Sequence, residues 1–193
     1  MTTGFMRFLG VVFGATALGC SSNDVQIYNE TDSDVVVKVG DKEARVALSW
    51  PRATLSGKFK PGTKVIATAG GDVVDEATIP EGSKGKTLIY NVKGEGDLYL
   101  VDYFNCYAEE GSESPRGDEP FEIVASLKGT QIFVAPGGVV VEHTGAFPRS
   151  VAKGTHVMRV EHVPPSLATQ GVENYILQTL QTDLKMRGGL YFH

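Results

Sequence analysis

The chain is poor in the residue types that usually announce a chemistry. It has two cysteines in 193 residues, so the one intrachain disulfide open to it is Cys20 to Cys106. It has no basic excess: 18 Lys and Arg stand against 23 Asp and Glu, a net charge of -5, whereas a nucleic-acid partner would want a basic face. No Gly-x-Ser-x-Gly elbow offers a serine nucleophile. Gly82-Ser83-Lys84-Gly85-Lys86-Thr87 approaches a phosphate-binding loop. Its first glycine would fall at Pro80, however, and Leu88-Ile89-Tyr90 after it reads as a strand rather than a helix start that could hold phosphate. The segment is read as a hairpin loop. Gly94-Glu95-Gly96 lacks the third glycine and the helix of a dinucleotide fingerprint. The apolar run 8–19 is shorter than the roughly 20 residues of a spanning helix.

That run is nevertheless what the chain is organised around. Arg7 precedes it, Ala17-Leu18-Gly19 closes it, and Cys20-Ser21-Ser22-Asn23-Asp24 follows. A basic start and a short apolar stretch ending in small residues make a signal peptide, not part of the fold. The layout resembles the export signal of bacterial lipoproteins. By that resemblance residues 1–19 are removed, Cys20 is acylated, residues 20–24 form a tether, and the partner is a membrane reached through the lipid anchor. Ser21 in place of Asp implies, by the same resemblance, the outer membrane. Met6-Arg7 makes a more compact start than Met1. An ordinary secretory signal or an uncleaved anchor is the alternative, and it also leaves the protein in the cell envelope. With Cys20 acylated, Cys106 stands alone, and Tyr103-Phe104-Asn105-Cys106-Tyr107 is a setting for a buried small hydrophobe.

The rest reads as strands and turns. Twenty-three glycines and nine prolines accompany frequent Val and Thr. Strands are predicted over 25–28, 35–39, 44–48, 53–59, 64–69, 73–79, 87–92 and 97–104, separated by glycine-bearing turns. The acidic run 29–34 is read as a hydrated hairpin tip, since it lacks the glycine and distal glutamate of a calcium loop. Trp50 is read as a core or rim anchor without companions for a ligand platform. Residues 108–120 form an acidic loop or linker, in which Arg116-Gly117-Asp118 is taken as ordinary loop sequence. Strands resume over 121–126, 130–135, 139–143 and 155–163. The run 171–187 then places Ile176, Leu177, Leu180 and Leu184 on one helical face, with Gly188-Gly189 as a stop. The expected fold is mainly β, an antiparallel β-sandwich or partly open barrel with one C-terminal amphipathic α-helix. The expected units are 25–107 and 121–193.

Val25-Gln26-Ile27-Tyr28-Asn29-Glu30-Thr31 before a Val-rich strand, and Lys58-Phe59-Lys60-Pro61-Gly62-Thr63-Lys64-Val65, are similar to the β-sandwich modules of bacterial surface lipoproteins, including the PEGA domains. The similarity covers 25–92 and implies adhesive or scaffolding use without chemistry.

His156 and His162 are the best metal candidates. They share strand parity, and Glu142-His143 and Glu161-His162 repeat a dipeptide, so strand pairing could bring two imidazoles together. Zinc would want further ligands that the spacing does not supply. No metal, cofactor or catalytic residue is therefore expected. The expected role is non-catalytic, in binding or structure at the envelope, with an envelope protein as partner. Two rivals stand beside it: a carrier with an apolar cavity between sheets, and an enzyme whose site joins Cys106, or His156 and His162, to a carboxylate in a concave pocket.

Overall fold

The computed structural model describes residues 23–109, 120–142, 145–168, 171–187 and 191–192. The leader with Cys20, the Arg116-Gly117-Asp118 tripeptide, His143 and Gly188-Gly189 lie outside the described residues.

In chain order the strands are β1 (Asn23–Tyr28), β2 (Val35–Val39), β3 (Lys42–Val46), β4 (Arg52–Gly57), β5 (Lys64–Ala69), β6 (Asp72–Thr78), β7 (Leu88–Asn91) and β8 (Leu98–Asp102). After them come β9 (Ala108–Glu109), β10 (Glu122–Ser126), β11 (Ile132–Val134), β12 (Val139–Val141), β13 (Ser150–Val151) and β14 (Val157–His162). The short α1 (Pro165–Ala168), the longer α2 (Val172–Arg187) and β15 (Tyr191–Phe192) complete the order. The chain is mainly β, as its composition predicts, with no closed barrel among the described residues.

Three four-stranded sheets stack face to face. The first is β3-β2-β5-β6, the central one β11-β7-β1-β4 and the third β10-β8-β14-β12. Strand alternation decides which side chains meet in each gap. Val25, Ile27, Leu88 and Tyr90 leave one face of the central sheet to pack on Val35, Val37, Val39, Val65 and Ala67 of the first. Tyr28, Ile89 and Phe133 leave its other face to pack on Leu98, Leu100, Met158 and Val160 of the third. The far face of the third sheet presents Val101, Val157 and Val141 to Ile176 and Leu180 of α2. Helix α2 thus covers a sheet face. Strand β2 of the first sheet alternates buried and exposed positions, whereas β7 is buried throughout. That is the signature of a strand covered on both sides.

Among the described residues only Gly40-Asp41 and Gly70-Gly71 are two-residue hairpin turns, joining β2 to β3 and β5 to β6. The 29–34 run is not a hairpin tip, because β1 pairs with β4 and β7 whereas β2 pairs with β3 and β5. It is a corner between sheets. Asn29 and Thr31 are buried there. The Asn29 amide donates to the carbonyls of Ser33 (2.8 Å) and Val46 (3.3 Å), and its Oδ1 accepts from the Thr31 hydroxyl (2.7 Å). These bonds replace the ladder partners that the backbone loses as it leaves one sheet. The 82–87 segment is not a hairpin loop either, since β6 lies in the first sheet and β7 in the central one.

Three further expectations need correction. The boundary at 108–120 does not separate sheets: β8 pairs with β10 and β14, and β7 with β11. Ala108–Glu109 of that expected loop form strand β9, paired with β15. The tether does not extend to residue 24, because β1 begins at Asn23, which is 2% exposed. The Asn23 amide donates to Phe59 O (3.2 Å) and Ser83 O (3.1 Å), and its Oδ1 accepts from the Gly85 N–H (2.8 Å).

Replacing Asn29 with alanine removes two donated bonds and strands buried carbonyls. Urea unfolding of Asn29→Ala is expected to show a loss of about 1–3 kcal/mol. A loss below about 0.5 kcal/mol would mean that the corner is held by packing alone.

Candidate functional site

Strand β14 runs through the third sheet with His156 just before it and His162 at its end. The two imidazoles therefore sit at opposite ends of one strand, about 20 Å apart at strand rise, and do not converge. His156 Nδ1 lies 2.5 Å from Asp102 Oδ2, and its ring stacks on Phe104 with centroids 5.0 Å apart. His162 Nε2 lies 3.3 Å from Glu30 Oε2. Among the described residues no group of three or more His, Cys, Asp or Glu side chains could hold a metal ion.

Asp102 and His156 form the carboxylate-imidazole half of an acid–base set, so the state of Cys106 matters. The Cys106 thiol is 3% exposed and donates to Pro120 O at 2.8 Å. Burial, with the Asp102 charge added, pushes its pKa up to about 12. It stays protonated at neutral pH and lacks the thiolate that a nucleophile needs.

A second polar group lies between the third sheet and the α2 layer. Arg159 and Glu161 are two apart on β14 and so share a face, with side chains 3% and 2% exposed. Arg159 Nε donates to Glu161 Oε1 at 2.5 Å, and the Tyr103 hydroxyl donates to the same oxygen at 2.5 Å. The guanidinium sits 4.2 Å from the centroid of Phe147. Burial first, then Glu161, raises the Tyr103 pKa. This pair is charge-matched and closed to solvent. Sequence reasoning singled out Glu161 beside His162 but missed Arg159. The available signal was two opposite charges at i and i+2 in an otherwise apolar strand.

The accessible polar groups gather elsewhere, at the end of the central sheet where β1 finishes and β4 begins. Trp50 is 62% exposed, not a core anchor, and the Arg52 guanidinium lies 4.0 Å from its ring centroid. Together with Tyr28, Glu30, Pro51 and His162 they line a hollow of about 140 Å³. Trp50 thus has the companions that the sequence did not reveal. Of these, Tyr28, Glu30 and His162 arrive from the end of β1 and from β14, far away in the chain. Leu48, half exposed, stands beside it, its N–H held 2.9 Å from Asp34 Oδ1. Arg45, 2.7 Å from Asp34, holds that carboxyl below the usual range. The loop is pinned, and its apolar side chains point outward. An aromatic face bordered by a guanidinium, a carboxylate and an imidazole suits recognition of a partly apolar, partly polar surface.

Two larger clefts of about 570 and 550 Å³ lie at the surface. One runs between β10 and the start of α2, along Phe121, Ile123, Glu173 and Leu177, and the other along Lys42, Lys58 and Phe59. No described helix is long and apolar enough to cross a membrane. No family model, curated protein or solved structure matches this chain.

A thiol with a pKa raised from 9.0 to about 12 by folding binds its proton more tightly in the folded state. Its contribution is complete below pH 9 and is lost as pH rises towards 12. Denaturation from pH 8 upward is expected to show stability falling from about pH 9, with a shallower fall in Cys106→Ala. Identical pH profiles for the two proteins would contradict the buried, neutral thiol.

Proposed function

We propose that this chain is a non-catalytic lipoprotein of the bacterial envelope, held at a membrane, on the outer membrane by its Ser21, through an acylated Cys20, and that it binds an envelope protein through its Trp50 end. The observation that carries the reading is the order Arg7, apolar 8–19, Cys20, followed within three residues by the first strand at Asn23. The non-catalytic part is supported by the separation of His156 from His162 and by the protonated Cys106 thiol. The carrier reading finds less support, because large side chains such as Ile27, Tyr90, Leu100 and Met158 fill the space between sheets. The Trp50 end supports a binding role: its apolar residues are exposed and rigidly presented, yet the fold does not need them for its core.

Expression in a Gram-negative host tests the anchor. Wild type is expected in the detergent phase, with a mass showing loss of residues 1–19 and gain of acyl chains on Cys20, and Cys20→Ser is expected to remain unprocessed. A soluble wild-type product without acyl mass would contradict the proposal.

A further inference from the structure

The two ends of the first two sheets carry opposite charge. At the Asn23 end the Gly40-Asp41 turn, the loop after β4 and the loop before β7 come together, because Asn23 pairs with Gly57, Val25 with Leu88, and Val39 with Lys42 and Val65. Six of the eleven lysines, Lys42, Lys58, Lys60, Lys64, Lys84 and Lys86, are exposed at this end, against Asp24, Asp41 and Glu81. Lys64 lies 3.7 Å from Glu76, which pairs across the sheet with Ile66, and Lys42 donates to Ser56 O. At the other end six acids, Glu30, Asp32, Asp34, Asp72, Glu95 and Asp97, stand against Arg45, Arg52, Lys93 and Lys128, of which Arg45, Lys93 and Lys128 pair with Asp34, Glu95 and Asp97, so a smaller negative excess remains. A chain with net charge -5 therefore has one end with a positive excess.

That end is also the one beside Cys20. Three residue steps separate Cys20 from the buried Asn23, a reach of at most about 11 Å. The screening length at physiological salt is about 8 Å. Lysines around Asn23 thus remain within or near the surface field of any membrane that holds Cys20. The net negative charge repels the molecule as a whole from an anionic surface, and one orientation relieves this, with lysines down and acids up.

We infer that the lysine-bearing Asn23 end docks on anionic phospholipid headgroups and fixes the molecule upright, with the Trp50 end pointing away from the bilayer. This inference rests on the lipid-anchor reading above and adds a surface to it. The recognition is of charge density rather than of one headgroup. Each lysine held in the surface potential contributes a factor of about five to the preference for that orientation.

The test uses the mature, wild-type protein in vesicles of phosphatidylcholine alone or with one third phosphatidylglycerol, and in detergent. Lysines are labelled with an amine-reactive reagent and read by peptide mass, and the intact mass is read first. Acylated protein is expected to label about fivefold more slowly at Lys58, Lys60, Lys84 and Lys86 on anionic vesicles than in detergent, while Lys93 and Lys128 label equally in both. High salt is expected to abolish the difference. In the K58Q/K60Q/K84Q/K86Q variant, protection of Lys42 and Lys64 is expected to disappear. Acylated protein whose lysines label alike on anionic and neutral vesicles would overturn the docking and leave the anchor standing. Protein without an acyl group on Cys20 would overturn the anchor, and the docking with it.

Discussion

The structure depends on a sheet that must be covered on both faces. Strands β1 and β7 carry Val25, Ile27, Leu88 and Tyr90 on one face and Tyr28 and Ile89 on the other, and burying a Val, Leu or Ile contributes about 1.5–3 kcal/mol. Neither face can be left to water. The first sheet answers one face with the Val-rich β2 and with β5. The third sheet answers the other with Leu98, Leu100, Met158 and Val160. Covering the second face takes strands from both sides of residues 108–120, which is why a division of the chain there does not divide the fold.

Stacking sheets in this way requires the chain to leave one sheet and enter the next, and each crossing exposes backbone groups without ladder partners. Short polar side chains meet that requirement. Asn29 holds the corner after β1, Asn23 ties β1 to two loops, and Asp75 on β6 accepts from the Tyr90 hydroxyl (2.9 Å), the Lys93 N–H (2.7 Å) and the Gln131 amide. Burial and the Asp75 bond together raise the Tyr90 pKa. Lys93 takes a positive φ of 57° in this bend. The buried Arg159–Glu161 pair serves the outer layer differently. Its desolvation cost is offset by mutual charge and by the Tyr103 hydroxyl.

Most of the strands were legible in the sequence, because alternation and glycine turns are local signals; those predicted fall within two residues of the observed ends. Helix α2 was legible for the same reason. What could not be read was partnership. A run such as 29–34 has the polar composition of a hairpin tip whether it joins neighbours or crosses between sheets, and only the buried Asn29 distinguishes the two. The short β9, β13 and β15 carry too few residues for any period to show. The surroundings of Trp50 were hidden because Tyr28, Glu30 and His162 lie far from it in the chain, although Arg52 is only two residues away. A lone Trp before a proline offers no sign of whether it faces the core or water.

Under the proposed lipid anchor, the layered fold and the charge asymmetry put the membrane end at Asn23 and the free end at Trp50. Along β1 those ends are separated by about 17 Å at strand rise. Trp50 is the single tryptophan, so its fluorescence reports that end alone. The most direct measurement is its quenching in anchored protein on anionic vesicles, by iodide from the water and by brominated lipids from the bilayer. Strong quenching by iodide and none by brominated lipid is the predicted result. Quenching by the lipid would place Trp50 in the membrane and contradict the account.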